Sequence, residues 1–237
     1  MTNTVNGAAV QQPTIKKKSR AGEIWRRFRK NKLAVFGMIL FALILLVAIF
    51  ADAIVNYSVA TTQVAADRLL SPNAEHWFGT DNYGRDLFAR IVHGSRNSLL
   101  VGFGSVAIGV VLGGLLGAVC GYVGGRFDAI MMRVLDSIMC IPSMMMALAI
   151  VAALGSSLVN VLLAMTISNV PWYCRIIRSS VLGVTGQTYI EAARSCGTSD
   201  FQIIMTHVLP NAMGPIIVQA TMGIGGAIIS AAGVSFV

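Results

Sequence analysis

Leu33 to Ala51 reads LAVFGMILFALILLVAIFA, a run without a charged residue. Roughly 20 apolar residues carry a helix through the hydrocarbon core of a bilayer, so this run decides the class of the molecule. Three further uncharged stretches follow: Asn97 to Gly125, Ser137 to Cys174 and Val208 to Val237. The first and last of these read as single spans. The middle one is too long for one, and Gly155-Ser156-Ser157-Leu158-Val159-Asn160 near its centre predicts a helical hairpin, with spans near 137–154 and 158–174. The expected fold is all-α: a polytopic membrane helical bundle of about five spans. A β-barrel would show short alternating segments instead of these runs.

Composition agrees. The 237 residues are 55% hydrophobic and only 12% charged, against about 25% charged in an ordinary soluble domain. That leaves too little polar surface to cover a soluble particle, and the apolar content excludes disorder. The net charge of +8 could suggest nucleic acid, but the basic residues form no patch. Lys16, Lys17, Lys18, Arg20, Arg26, Arg27, Arg29, Lys30 and Lys32 precede the first span, which places the N-terminus in the cytoplasm by the positive-inside bias. Threading five spans from there puts Arg126, Arg133, Arg175, Arg178 and Arg194 inside as well. Only Arg68, Arg85, Arg90 and Arg96 fall outside, balanced by Asp67, Glu75, Asp81 and Asp86. The basic excess is therefore an orientation signal, helped by anionic lipid, and no nucleic acid partner is expected. Leu33–Ala51 reads as a signal anchor, since it is longer than a cleaved h-region and follows a long polar segment.

The chain then divides into a basic cytoplasmic segment, 1–32, a first transmembrane helix, 33–55, an extracytoplasmic segment, 56–97, and a core transmembrane domain, 98–237. A cytoplasmic loop, 175–207, lies within that core.

Chemistry-bearing patterns are few. No GxSxG, HExxH or GxxxxGK[ST] occurs, so a hydrolase triad, a zincin and an ATP-binding P-loop lack their signatures. Cys120, Cys140, Cys174 and Cys196 are scattered, and His76, His93 and His207 fall on both sides of the membrane. No metal site and no catalytic residue is expected. Met139, Met144, Met145 and Met146 suit adaptable packing better than a soft metal.

Ser105, Gly109, Gly113, Gly117, Gly121 and Gly125 recur every four residues along the second span. Residues four apart share a helix face, so they form a smooth ridge that lets another helix approach closely, within the chain or at a subunit interface. Arg133 and Asp136, spaced i and i+3, predict an interfacial ion pair reinforced by Asp128; a proton or ion site is the alternative. Pro142 and Pro171 predict bends within their spans.

The loop 175–207 is less hydrophobic. Tyr189 to Ala193 favours helix, Gly197 is placed to cap or break it, and Thr198-Ser199-Asp200 offers an N-cap for a second short helix. Pro210 is then expected to reset the chain at the next span. This predicts a helix–turn–helix on the cytoplasmic face, pinned by a span at each end and able to transmit force from a docking partner. An amphipathic loop resting in the headgroups is the plainer alternative.

Glu191-Ala192-Ala193, then Gly197 and, after nine intervening residues, His207-Val208-Leu209-Pro210, resembles the EAA motif of the permease subunits of ABC importers. Phe78-Gly79-Thr80-Asp81 with Gly84-Arg85-Asp86 is similar to the GTDxxGRD segment of the C-type permeases for dipeptides, oligopeptides and nickel. Gly121-Tyr122, Asp128, Met132-Arg133, Asp136 and Pro142 fit the same branch, as does the basic stretch Trp25 to Lys32 running into Leu33. The resemblance covers nearly the whole chain in order.

It implies a type I importer permease with a sixth helix beyond Val237, so the chain reads as truncated relative to the family. It also implies a second related permease to complete the pathway, two ATPase subunits carrying ATP and Mg, and an extracytoplasmic substrate-binding protein. No cofactor and no enzymatic activity are implied for this chain. Glu191, Ala192, Ala193 and Gly197 would meet an ATPase, with Leu209 and Pro210 anchoring the return into the membrane. Peptide is the expected cargo, ahead of nickel and other small solutes. An ion-coupled carrier or channel, or a non-transporting scaffold, remains as a rival; the carrier is weakened because no acidic residue lies mid-span.

Overall fold

A computed structural model describes residues 20–236; Lys16, Lys17 and Lys18 of the predicted basic segment lie outside them. The chain falls into two units, divided after Phe50. The first consists of α1 (Arg20–Lys30) and α2 (Lys32–Ile49). Asn31 separates them in an extended conformation, and its Oδ1 accepts from the Ala34 N–H at 3.2 Å, capping α2. Trp25 stacks on Phe28 along α1, ring centroids 5.8 Å apart. The predicted 33–55 helix is interrupted: α2 ends at Ile49, and a separate short helix, α3 (Ala51–Ile54), follows.

The second unit holds α3, α4 (Tyr57–Thr61), α5 (Leu87–Val123), α6 (Gly125–Met139), α7 (Ser143–Leu154), α8 (Leu158–Thr185), α9 (Thr188–Ser195), α10 (Asp200–Ile203) and α11 (Leu209–Phe236). Its frame is α5 laid along α8, with α11 against both. Gly109 of α5 meets Tyr173, Gly113 meets Val170 and Cys174, and Gly121 meets Arg178 and Val181. Both sequences ascend together, so α5 and α8 run parallel. Gly102 meets Ile228 while Val106 meets Gly223, so α11 runs antiparallel to α5. Parallel helices need a returning segment between them, and α6 with α7 supplies it.

Length and composition alone do not reach the five spans read from the sequence. Among the described residues three helical stretches are long and apolar enough to cross a membrane: Lys32–Ile49, Leu87–Val123 and Asp200–Ser235. A fourth is added if α6 and α7, bent by 78° at their junction, count as one span. The expected hairpin at 137–174 does not form with those arms. Its first arm, α7, has only 12 residues, about 18 Å at 1.5 Å per residue. The break falls at Cys140–Pro142, because proline disfavours helical backbone in the residue before it. α8 is long enough, but Asn160, Asn169, Arg175 and Arg178 dilute its apolar character.

Two apolar clusters fill the second unit. One gathers Tyr122, Tyr173, Ile177, Val181, Ile190, Ile203 and Val208 around α5, α8 and the α9–α10 loop. The other joins Val101, Ala147, Ala164, Met165, Ala231 and Val234.

Candidate functional site

The loop after α8 is built as the residue types require. α9 ends at Ser195, Cys196 is its C-cap, and Gly197 follows with φ +78°. That is the left-handed region that glycine enters without steric cost. The N–H groups of Gly197 and Thr198 turn back to the carbonyls of Arg194 and Ala193 at 2.9 and 3.2 Å. Ser199 then caps α10, its Oγ accepting from the Gln202 N–H at 3.4 Å. Ile190, Ile203 and Val208 are fully buried against α5 and α8. Glu191, Ala192 and Gly197 lie exposed, and Ala193 and Leu209 are half-buried. Phe201 and Met205 also stand open on this surface. One face of the loop is thus fixed to the bundle while the other presents apolar and acidic groups together.

Pro210 does not reset the chain. α10 continues through a π turn, Ile204–Val208, directly into α11. In an unbroken α-helix the Pro210 ring would collide with the carbonyl four residues earlier. The π turn lets the Leu209 N–H reach back to the Ile204 carbonyl, and such turns accommodate an extra residue within a helix. The Asn211 side chain then donates to the His207 carbonyl at 2.6 Å. The loop therefore runs into α11 without a break in the helix.

Farther along the bundle, the bend at Pro142 opens a groove of about 490 Å³ between the α6–α7 junction, α8 and α11. Ser143, Ser168, Asn169, Tyr173, Gln219 and Ser230 are its polar side chains, methionines and Trp172 supply much of the rest, and no charged side chain lines it.

Residues 109–237 match the family described as binding-protein-dependent transport system inner membrane component. Residues 19–72 match the N-terminal transmembrane domain of oligopeptide transport permease C. The dipeptide transport system permease protein DppC of Alkalihalophilus pseudofirmus is 45% identical over 90% of this chain and 70% of its own length. The probable D,D-dipeptide transport system permease protein DdpC of Escherichia coli is 42% identical over 90% of this chain and 71% of its own. The glutathione transport system permease protein GsiD of Escherichia coli has the same identity and coverage. The chain belongs to this family of inner membrane permeases. It is a permease subunit of a binding-protein-dependent importer, and not itself an enzyme.

The permease carries its glycine ridge against α8. A Cβ on Gly117 would meet the Cys174 carbonyl and the Arg178 amide, and one on Gly113 the backbone of Val170 and Cys174. Gly125, sixth in the sequence series, lies outside the seam with φ +63° and open space around it.

The predicted Arg133–Asp136 pair does not form. Asp128 binds Arg178 through both carboxylate oxygens, and Asp136 binds Arg175. Both acids of α6 reach partners on α8, whereas Arg133 is exposed and takes part in neither pair. Spacing along one helix could not reveal partners 39 and 50 residues away.

On the far side of the permease, residues 67–87 fold into a knot. Gly79 and Gly84 adopt φ of +75° and +73°, and a Cβ on either would strike the backbone of Leu70 or Val64. Thr80 receives the Leu70 N–H at 2.9 Å and donates to the Asp67 carbonyl. Asp86 caps α5 through the Ala89 N–H at 2.7 Å and holds His76 at 2.8 Å. Asp81 accepts from the backbone of Tyr83 and Arg85 and pairs with Arg85 and Arg90. Burial opposes its ionisation, but the hydrogen bonds of Arg85 and Tyr83 prevail and hold the carboxyl well below the usual carboxylate range. A carboxylate depressed in this way stabilises the fold fully above its ordinary value of 3.8, and that contribution is lost as the pH falls further, through the folded-state value. Limited proteolysis should show the knot opening under strong acid. Asp81→Asn should raise cleavage at neutral pH by roughly tenfold and abolish most of the acid dependence.

The sequence reading named Tyr122 only as part of the family resemblance and gave it no contacts. Tyr122, at the last turn of α5, donates to Asp200 Oδ1 at 2.5 Å, and Arg194 Nε donates to the Tyr122 hydroxyl at 3.2 Å. Nothing local to Tyr122 signals this, because its partners lie more than 70 residues away.

Proposed function

We propose that this permease moves peptides by alternating access, driven by ATPase subunits that dock on the α9–α10 loop. The observation that carries the reading is the two-faced loop: buried Ile190, Ile203 and Val208 tie it to the bundle while Glu191, Ala192 and Phe201 remain open. A load on the open face has a stiff path inward. Glu191 makes the polar contact with an ATPase, Ala192 and Ala193 allow close approach, and Gly197 permits the turn. Leu209 and Pro210 anchor the loop to α11. Coupling requires that the ATPases bind the two states of the bundle with different free energies.

The remaining partners are a related sister permease, which completes the pathway, and an extracytoplasmic binding protein, which delivers cargo. ATP and Mg reside on the ATPase subunits. Five crossings fit the packing, with α8 crossing beside its parallel neighbour α5 and the bent α6–α7 pair returning between them. The basic N-terminal segment then lies in the cytoplasm and the knot at 67–87 outside. The groove between α6–α7, α8 and α11 is one wall of the pathway. Its uncharged hydroxyl and amide groups suit a peptide backbone, and the relatives named for dipeptides and glutathione support that cargo. The glycine seam and the Asp128–Arg178 and Asp136–Arg175 pairs hold the bundle together.

The test is co-purification of the chain with candidate ATPase and sister permease from the same cells. Gly197→Val forces a β-branched residue into left-handed backbone, at a cost of about 1–3 kcal/mol. Together with Glu191→Ala it should reduce recovery of the ATPase by roughly tenfold or more, while the sister permease stays bound. Undiminished ATPase recovery would sink the docking assignment.

A further inference from the structure

The chain connects the α9–α10 loop covalently to only two membrane helices. Gly186–Gln187 joins α9 to α8, and the π turn joins α10 to α11. α5, the longest helix of the bundle, has no such link. Apart from apolar packing, its hydrogen-bonded attachment to the loop is Tyr122, one residue before its end and 9% exposed. The hydroxyl donates to Asp200 on α10 and accepts from Arg194 on α9, whose guanidinium also lies 4.7 Å from the Tyr122 ring centroid. The two partners stand on opposite sides of the Gly197 turn, so this one side chain grips both helices of the loop. Immediately beyond it, Gly124 and Gly125 take φ of +64° and +63° in open space, so the chain leaves α5 without a stiff continuation.

We infer that Tyr122, Asp200 and Arg194 form a strut that transmits movement of the α9–α10 loop into α5 and keeps the angle between α9 and α10. This rests on the proposed docking of ATPases at the loop. The hydroxyl is the transmitting atom. Both hydrogen bonds involve an ionised partner, and such bonds are about twice as strong as neutral ones. The buried ring, by contrast, serves packing, which phenylalanine preserves. The three are positioning residues: they touch neither cargo nor nucleotide, and their absence should alter coupling more than assembly.

The experiment uses the whole transporter, this chain with its sister permease, ATPases and binding protein, reconstituted in vesicles. Uptake of a labelled dipeptide and ATP hydrolysis are measured together. Tyr122→Phe should leave the amount of assembled complex unchanged and lower peptide moved per ATP by roughly tenfold. Asp200→Ala should do the same, while Asp200→Asn, which keeps an acceptor oxygen, should recover much of the ratio. The Tyr122→Phe/Asp200→Ala double variant should be no worse than either single one, as expected when both remove one contact. A wild-type ratio of transport to hydrolysis in Tyr122→Phe would overturn the strut and leave the docking reading intact. Absence of ATP-driven uptake by the wild-type assembly would overturn that reading and the strut with it.

Discussion

Gly117→Leu should leave little folded permease. The glycine lies where α5 and α8 approach most closely, and a Cβ there would run into the Cys174 carbonyl, with the Arg178 amide at 3.0 Å. Both obstacles are backbone, so no rotamer change relieves them and the two helices must part. Overpacking a well-packed interior costs about 1–3 kcal/mol where side chains can adjust; here the cost should reach the top of that range or exceed it. Separating the helices also opens the cluster of Tyr173, Ile177 and Val181, which the seam keeps closed. The expected result is severe loss of detergent-extractable monodisperse protein, with a strongly lowered unfolding midpoint in what remains. Gly114→Ala is the control. Its added carbon meets only the Ile177 Cδ1 at 3.2 Å, a flexible tip, and its midpoint should stay close to that of the unmodified chain. Equal behaviour of the two variants would mean that the seam is not the close contact described.

The second large effect concerns Asp128. Its side chain is 13% exposed and that of Arg178 27%, so Asp128→Ala would strand a guanidinium with little water around it. Removing one partner of a fully buried pair costs about 3–5 kcal/mol; with this residual exposure about 2 kcal/mol is expected. Arg178→Met added to Asp128→Ala should restore most of the loss, because the stranded charge disappears with it. Arg133→Ala, in contrast, should shift the midpoint little. Thermal unfolding of these variants separates the two pairings, since a damaging Arg133→Ala would put the ion pair back on α6.

That contrast marks where the sequence was legible. Run lengths and charge placement revealed the membrane class, because a bilayer imposes the same length and polarity on every span. The turn at Gly197 and the cap at Ser199 were readable too, since both depend on residues within one or two positions. The four-residue interval of the glycines announced a smooth face, though not that α8 would fill it. What escaped was non-local. The Asp128–Arg178 pair exists only because α6 comes to rest beside α8, and the Tyr122 contacts only because the α9–α10 loop comes to rest beside α5. Pro210 was misread for a related reason. Its usual effect as a helix breaker is absorbed by the π turn at Ile204–Val208, and no sequence period announces such a turn. The boundary near 137 moved because Pro142 and the charged residues of α6 set the break later, at Cys140–Pro142.

The α5–α8 seam also restricts how such a transporter can move. Sliding one helix by a residue carries it about 1.5 Å along its axis, and the glycine notches recur only every fourth residue. Any shorter slip drives a side chain of α5 into the backbone of α8. The seam therefore resists sliding along its axis and leaves tilt of α5 against α8 as the open movement. Backbone turns flank it at Gly124–Gly125, the Cys140–Pro142 bend and Gly155.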